Sequence, residues 1–237
     1  MPTLVLLRHG QSQWNLEHRF AGWVDVDLTA QGEAEAVAAG EMISAEALAF
    51  DRAYASVLKR AIRTACLTLG AADQLWIPSA KDWRLNERHY GALTGLDKLR
   101  TAEMHGEDQV RLWRRSYDVA PPPLAPGGPF DFAADRRYGA ITPPATESLK
   151  NTLERVLPYW RGEIAPRLAA GEAILVVAHG NSLRAIVKHL FAVSDAAIVE
   201  VEMPTGNPLL IDLSADLTPR SARYLDGARA QALPSFP

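Results

Sequence analysis

Residues 3–10 read "TLVLLRHG", and residues 173–180 read "AILVVAHG". Each stretch is an apolar run that ends in a histidine followed by a glycine. Continuous apolar runs of this length are typical of strands buried on both faces of a parallel sheet, and the glycine allows a tight turn into a helix. We therefore predict two buried strands whose carboxyl ends carry His9 and His179. If the strands are neighbours, both imidazole rings face one cavity, because ligands of open α/β sheets bind at that edge.

Helical and extended patterns alternate along the rest of the chain. Further strands are expected at 52–56 and 207–213, and a weak strand pattern lies within 76–86. Apolar spacing and capping residues predict helices at 29–48 with Thr29 as the N-cap, at 58–70 closed by Gly70, at 101–117, at 148–171 with kinks at Pro158 and Pro166, and at 181–191. This alternation predicts an α/β fold. We expect one domain over residues 1–237, with a three-layer, mostly parallel sheet and helices on both faces.

Residues 121–144 interrupt this alternation. They hold seven of the sixteen prolines of the chain, and proline sustains neither a helix interior nor a central strand. The segment is therefore expected to be irregular. A linker is one interpretation, and a long ordered loop that covers the active site is the other.

The composition argues against several classes of partner. The net charge is −3, with 48% hydrophobic and 22% charged residues, so the chain lacks the basic field of a nucleic-acid-binding protein. No apolar run approaches the length of a bilayer span, and no secretory signal is visible, so we expect no membrane association. The single cysteine, Cys66, lies on an apolar helical stretch and is expected to be a buried structural thiol. One cysteine cannot form an intrachain disulfide, which favours a reducing, cytoplasmic location.

Polar residues directly after the two strands suggest anion binding. Gln11 and Ser12 follow the first glycine, and Asn181 and Ser182 follow the second. Free N–H groups at helix N-termini favour an anion there. A single His-Gly pair after a strand is commonly just a turn. Two such pairs in one chain, with Arg8 beside the first, favour a phosphate-handling site.

The stretch "LLRHGQSQWN" (residues 6–15) resembles the phosphohistidine motif of the histidine phosphatase superfamily. Six further stretches follow in the same order as in one family: "RFAGWVDVDLTAQG", "SVLKRAIRT", "LNERHYGALTGL", "WRRSYDVAPPPL", "AHGNSLRAIVKHL" and "PTGNPLLIDL". From Thr3 to about Leu213, the chain is therefore similar to the 2,3-bisphosphoglycerate-dependent phosphoglycerate mutases.

This resemblance implies a phosphoglycerate mutase-like fold and a specific reaction. The reaction is the glycolytic and gluconeogenic interconversion of 2-phosphoglycerate and 3-phosphoglycerate through a phosphohistidine. The resemblance also implies 2,3-bisphosphoglycerate as the phosphoryl primer and no metal. Members of the family form monomers, dimers and tetramers, so it allows a homo-oligomer as well.

The resemblance assigns catalytic roles to five residues. His9 matches the nucleophile that accepts the phosphoryl group, and imidazole suits this role because it is neutral and nucleophilic near pH 7. Glu87 matches the general acid and base. Arg8, Arg60 and His179 match the groups that stabilise charge on the transferred phosphoryl oxygens.

A second set of residues matches the substrate-binding positions of the family. Tyr90, Lys98, Arg114 and Arg115 match the groups that hold the far end of the substrate, with its carboxylate or second phosphate. Ala21 stands where the family commonly has a hydroxyl residue, so only a backbone contact is expected there. The complete set of binding candidates is Gly10, Gln11, Ser12, Asn15, Ala21, Gly22, Arg88, His89, Tyr90, Lys98, Arg114, Arg115, Gly180 and Asn181.

Four other functions are alternatives at this point. A phosphohistidine-dependent phosphatase of a small phosphorylated metabolite would pass the phosphoryl group to water. A bisphosphoglycerate synthase is a close relative, but Ser12 and Gly22 fit the mutase pattern better. A nucleotide-binding domain is expected to carry a glycine-rich phosphate loop, which the sequence does not contain. A non-catalytic scaffold is expected to have lost His9 or Glu87. The chain ends in "ALPSFP" (residues 232–237), which is short for the tail that often closes the site in this family.

Overall fold

The computed structural model describes residues 2–235. The strands within this range lie in one sheet with the spatial order β3-β2-β4-β1-β5-β6. Their bounds are Thr3–Arg8 (β1), Arg52–Ala55 (β2), Ser79–Lys81 (β3), Ala173–Ala178 (β4), Leu209–Leu213 (β5) and Pro219–Tyr224 (β6). The pairs β1–β4, β2–β4 and β2–β3 are parallel, whereas β5 runs antiparallel to β1 and β6 runs antiparallel to β5. The predicted mostly parallel sheet is confirmed.

Helices connect the strands and cover both faces of the sheet. The α-helices are Gln13–Leu16 (α1), Ala30–Ala45 (α2), Lys59–Ala71 (α3), Lys98–His105 (α4), Glu107–Arg115 (α5), Leu149–Tyr159 (α6), Ala165–Ala169 (α7) and Gly180–Leu190 (α8). The expected N-cap of α2 is confirmed, since the Thr29 hydroxyl accepts a hydrogen bond from the Gly32 N–H at 3.1 Å. Within residues 2–235, no helix combines the length and the apolarity that a membrane crossing requires.

The apolar runs of β1 and β4 are buried on both sides, as expected for central strands. Leu4 and Leu6 pack into a core that includes Val156 of α6 and Ile186 of α8. Residues of the opposite face, such as Val5, pack against α2 and α3. Successive side chains of a strand point to opposite faces, so these two runs form the centre of a three-layer α/β fold.

Several local predictions need correction. The segment 101–117 is not one helix, because Gly106 adopts φ 85° and separates α4 from α5. Gly70 lies inside α3, which ends at Ala71. The strand at 209–213 is followed by a further strand, β6, that the sequence analysis did not predict. Cys66 is exposed rather than buried, because the buried side of α3 is formed by its neighbours along the helical stripe.

The helix after residue 148 continues past its first proline. Pro158 lies inside α6, and the backbone then widens into a π-helical turn at Trp160–Ile164 before α7 begins. Proline removes one backbone N–H donor, and π-turns occur mostly as single-turn interruptions of α-helices. The predicted irregularity therefore lies immediately after Pro158.

The proline-rich segment 121–144 is irregular, with one short 3₁₀ turn at Arg136–Tyr138. It packs against the loops that carry the site: the Phe130 ring lies 5.9 Å from Trp14, and the Arg137 guanidinium forms an ion pair with Asp25 at 2.7 Å. None of the residues 121–144 lines the cavity described below, and a role of this segment in covering the site stays a prediction. Of the predicted tail, Phe236 and Pro237 lie outside the described residues. Leu233 packs against the main core.

Candidate active site

His9 and His179 lie side by side at the carboxyl ends of the sheet. They directly follow β1 and β4, which are hydrogen-bonded neighbours in parallel register. Their ring centroids are 4.9 Å apart, in an edge-to-face arrangement. The repeated strand-His-Gly pattern therefore brings the two imidazoles together, as the sequence predicted.

The surroundings of His9 fix the proton on one ring nitrogen. Nδ1 lies 2.6 Å from the Gly10 carbonyl oxygen, which can only accept, so Nδ1 carries the hydrogen. Nε2 is then left with its lone pair and accepts a hydrogen bond from Arg60 Nε at 3.3 Å. Burial, with the charges of Arg60 and Arg8, lowers the pKa of His9 well below its usual value. The ring is thus a neutral base with an unprotonated Nε2 at physiological pH.

The buried Arg60 and the half-buried Arg8 hold positive charge beside His9. Arg60 donates from its terminal nitrogens to the carbonyls of Gly22 and Val24, both at 2.8 Å. Burial lowers the pKa of Arg60 to about 10, so it stays charged at neutral pH. Arg8 donates to the Met203 carbonyl at 2.8 Å, and its buried Nε has no partner among the described residues. An unpaired buried N–H next to a nucleophile favours an anionic ligand.

His179 is held from behind by Ser56. Its Nε2 lies 2.7 Å from the Ser56 hydroxyl, and the ring is fully buried. Burial, followed by the charges of Arg60 and His9, lowers the pKa of His179. The position of His179 at the edge of the His9 ring suits a hydrogen bond to a group attached to His9.

Glu87 lies close to the start of α8 and is 8% exposed. Its Oε1 accepts hydrogen bonds from the backbone N–H of Arg88 at 2.7 Å and of Asn181 at 3.2 Å. The second bond anchors the carboxylate to the first turn of α8, close to Gly180. A carboxylate that is held at one oxygen leaves the other oxygen available for proton exchange with a ligand.

Arg8, His9, Arg60 and Glu87 line one cavity of about 120 Å³. Seven of its described lining residues are basic and two are acidic, although the whole chain has a net charge of −3. The local excess of positive charge fits a small, highly charged anion. The residues that line it are Arg8, His9, Ser12, Asn15, Arg19, Phe20, Ala21, Gly22, Arg60, Glu87, Tyr90, Lys98, Arg114, Arg115, Gly180, Asn181, Arg184, Glu202 and Met203.

The end of the cavity away from His9 is formed by α4 and α5. Burial, together with the charges of Arg114 and Arg8, lowers the pKa of Lys98 to about 8. Arg115 forms an ion pair with Glu202. Lysine and arginine side chains in this arrangement bind the carboxylate or phosphate of a ligand that extends from His9.

Five of the predicted site residues do not line the cavity: Gly10, Gln11, Arg88, His89 and His179. Among these five, His179 still lies directly beside the His9 ring, at a centroid distance of 4.9 Å. The Arg88 guanidinium donates to the Arg114 carbonyl at 2.7 Å. His89 is 1% exposed, and burial lowers its pKa to about 4; its Nδ1 accepts from the Gly91 N–H at 3.0 Å. A direct substrate contact by His89 is therefore not supported by this geometry.

The cavity also has lining residues that the sequence analysis missed: Arg19, Phe20, Arg184, Glu202 and Met203. Arg184 donates to the Asn181 side-chain oxygen at 2.9 Å, which turns the amide nitrogen of Asn181 toward the Tyr90 hydroxyl at 3.1 Å. Arg184 belongs to the quoted stretch "AHGNSLRAIVKHL". Its position one turn after Asn181 on a helix that starts at the site was the available signal.

No group of histidine, cysteine and carboxylate side chains within residues 2–235 is arranged to hold a metal ion.

The arrangement of two facing imidazoles within a cage of arginines, at the end of a parallel sheet, defines a class of protein. Residues 4–216 match the model of the histidine phosphatase superfamily (branch 1), and the chain belongs to that superfamily. Solved structures agree at the level of the fold. A mycobacterial glucosyl-3-phosphoglycerate phosphatase superposes with a TM-score of 0.72 at 22% identity, covering 94% of this chain and 97% of that chain.

Curated relatives narrow the class. A protein of Caulobacter sp. (strain K31) is 68% identical over 235 residues, covering 99% of both chains. Proteins of Hyphomonas neptunium and Zymomonas mobilis are 58% and 59% identical; the first match covers 100% of both chains, the second 95% of this chain and 99% of the relative. All three carry the name 2,3-bisphosphoglycerate-dependent phosphoglycerate mutase, and the chain belongs to this family.

Proposed function

We propose that the protein is an isomerase of glycolysis and gluconeogenesis that interconverts 2-phosphoglycerate and 3-phosphoglycerate, with His9 carrying the phosphoryl group. The proposal includes priming by 2,3-bisphosphoglycerate. The observation that carries it is the environment of His9 Nε2. This nitrogen is unprotonated and accepts a hydrogen bond from Arg60 at 3.3 Å, and His9 lines the cationic cavity.

His9 acts as the nucleophile. Nε2 attacks phosphorus, a P–N bond forms, and the P–O bond to the glycerate oxygen breaks. Arg8, Arg60 and His179 stabilise the charge that spreads over the three phosphoryl oxygens in the transition state. The Gly10 carbonyl keeps Nδ1 protonated and so stabilises the positive phosphoimidazole ring. These geometric features support the nucleophilic role.

Glu87 moves the proton at the glycerate oxygen. When the bisphosphate phosphorylates His9, the Glu87 carboxylic acid gives its proton to the departing alkoxide. When a bound monophosphoglycerate takes the phosphoryl group back, the Glu87 carboxylate accepts the hydroxyl proton. Isomerisation results when the ligand turns between these two steps and presents the other phosphate to His9.

Lys98, Arg114, Arg115 and Tyr90 hold the end of the ligand that is not reacting. Because the two phosphates of the bisphosphate exchange places, this end must accept either a carboxylate or a phosphate. Long cationic side chains tolerate both anions better than a rigid set of neutral donors would. Because these side chains retain the bisphosphate in the cavity, they favour transfer of the phosphoryl group to a glycerate over its transfer to water.

A phosphatase is the second candidate function, since it shares the phosphohistidine and differs only in the acceptor. The close relatives with the mutase name support the first candidate. A glycolytic role also leads us to propose a cytoplasmic location, where the substrates are found. Formation of a homo-oligomer stays a prediction.

Incubation with radiolabelled 2,3-bisphosphoglycerate tests the proposal. We expect an acid-labile, base-stable phosphoenzyme in the native protein and none in His9→Ala, and we expect the label to pass to added 3-phosphoglycerate. Turnover is expected to persist in EDTA, because side-chain cations neutralise the phosphate charge. Release of the label only as inorganic phosphate, at a rate that 3-phosphoglycerate does not change, would support the phosphatase and contradict the mutase.

A further inference from the structure

A buried ion pair lies beneath the segment that carries Glu87. Arg155 of α6 and Glu147 are joined by two hydrogen bonds, from Nε to Oε1 at 2.6 Å and from Nη2 to Oε2 at 2.9 Å. Their exposed fractions are only 9% and 2%. Neither residue lines the cavity, so neither is part of the substrate-binding set described above.

This pair holds the backbone on both sides of Glu87. Arg155 donates from Nη1 to the Arg84 carbonyl at 2.6 Å and from Nη2 to the Glu87 carbonyl at 2.9 Å. Glu147 Oε2 accepts from the His89 N–H at 2.8 Å, and the Glu147 N–H donates to the His89 carbonyl at 2.9 Å. The two charged side chains, together with the backbone hydrogen bond from the Glu147 N–H to the His89 carbonyl, therefore fix the segment 84–89 at Arg84, Glu87 and His89.

Stability alone does not account for such a pair. Replacing a buried ion pair by well-packed apolar residues is often neutral or stabilising, because both charges lose their hydration on burial. What an apolar replacement cannot supply is directed hydrogen bonding to backbone carbonyls. The contacts of Arg155 and Glu147 are directed at the segment that contains the acid and base group.

We propose that Arg155 and Glu147 are positioning residues that hold the Glu87 carboxyl group within proton-transfer distance of the reacting glycerate oxygen. The inference rests on the proton-transfer role given to Glu87 under the proposed function. Arg155 holds the Glu87 carbonyl, and the Asn181 N–H holds Glu87 Oε1 at 3.2 Å. Together these two hydrogen bonds fix the direction of the other carboxylate oxygen, Oε2. Proton transfer is sensitive to such placement, since a shift of about 1 Å can cost about a hundredfold in rate.

A double-mutant cycle on mutase kcat separates positioning from a general structural role. Arg155→Lys keeps the charge opposite Glu147, but a single ammonium group cannot bond both carbonyls. We expect kcat to fall about 10- to 100-fold, with KM for 3-phosphoglycerate changed less than about twofold because the binding residues stay in place. Arg167→Lys in α7, whose guanidinium pairs only with the side chain of Glu172 at 3.4 Å among the contacts described, is the matched control and should keep the native kcat.

The same substitution, measured in the Glu87→Gln variant, tests whether Arg155 acts through the Glu87 carboxyl group. If Arg155 acts through the Glu87 carboxyl, Arg155→Lys should lower kcat further by less than about twofold in Glu87→Gln, since residues that act as a unit are non-additive. Equal losses of kcat in both backgrounds, or a KM that rises with the fall in kcat, would overturn the positioning role. A Glu87→Gln variant with native kcat would instead overturn the acid and base role, and the inference with it.

A second variant covers the case in which Arg155→Lys does not fold. The double substitution Arg155→Met with Glu147→Leu removes both buried charges together, which avoids an unpaired charge. It is expected to fold with a lowered thermal midpoint, because the Arg84 and Glu87 carbonyls and the His89 N–H lose their side-chain partners, and to lose kcat about 10- to 100-fold with KM retained. A folded double variant with native kcat would overturn the proposal.

Discussion

Lys98 is expected to make the activity of the enzyme fall at alkaline pH, where a lysine with an ordinary pKa would still be charged. Its ammonium group lies at the distal end of the cavity, 5.9 Å from the Phe20 ring centroid. Burial first, and then repulsion by Arg114 and Arg8, lowers the pKa of Lys98 to about 8. The charged form is the one that attracts an anionic substrate. It dominates below this pKa and is lost as the pH rises through it.

The expected size of the effect follows from that value. A group with a pKa of about 8 is about 90% protonated at pH 7 and about 10% protonated at pH 9. If productive binding needs the charged form, kcat/KM for 3-phosphoglycerate should fall about tenfold between these two pH values. The phosphate group does not interfere, because its second pKa is near 6 and it is fully ionised over this range.

The assay is kcat/KM at subsaturating 3-phosphoglycerate from pH 6.5 to 9.5, with 2-phosphoglycerate quantified after quenching. Two variants act as controls. Lys98→Arg stays charged throughout, so its profile should be flat between pH 7 and 9. Lys98→Met should lose about 10- to 100-fold at pH 7, the value of one charge-assisted contact, and should also be flat. An alkaline fall of the same size and midpoint in either variant would refute the assignment to Lys98.

Two further predictions concern packing and charge at the site. Gly10→Ala should unfold at a temperature about 5–10 °C lower than the native protein, because its Cβ would lie 2.1 Å from the Gly32 carbonyl oxygen. Gly70→Ala is the control: its Cβ has no neighbour nearer than 3.7 Å, so the variant should be as stable as the native protein or up to about 1 kcal/mol more stable. Calorimetry checks both variants. Glu202→Gln should lower KM for 3-phosphoglycerate about two- to fivefold, because it frees Arg115 from a partly exposed ion pair of a kind that contributes about 0.2–1 kcal/mol; an unchanged or higher KM would contradict this.

The residues around the two imidazoles could be predicted from the sequence, because they lie at fixed offsets from strand ends and helix starts. His9 and His179 follow the two most apolar runs, and continuous apolar runs are typical of strands buried on both faces of a parallel sheet. The expectation for His89 as a direct binding residue came from its neighbours in the chain. The structure turns its ring inward against Trp23 and Phe132, which adjacency in the chain does not reveal.

The sequence by itself determined the elements that local patterns encode: the buried strands, most of the helices, the class of fold and the residues that match the mutase motifs. Only the tertiary structure decided which distant groups act together. The hydrogen bonds from Arg155 to the Glu87 carbonyl and from Asn181 to the Tyr90 hydroxyl join residues that lie 68 and 91 positions apart in the chain. Such contacts are set by packing and burial in three dimensions, whereas periodicity reports only on residues within a few positions of each other.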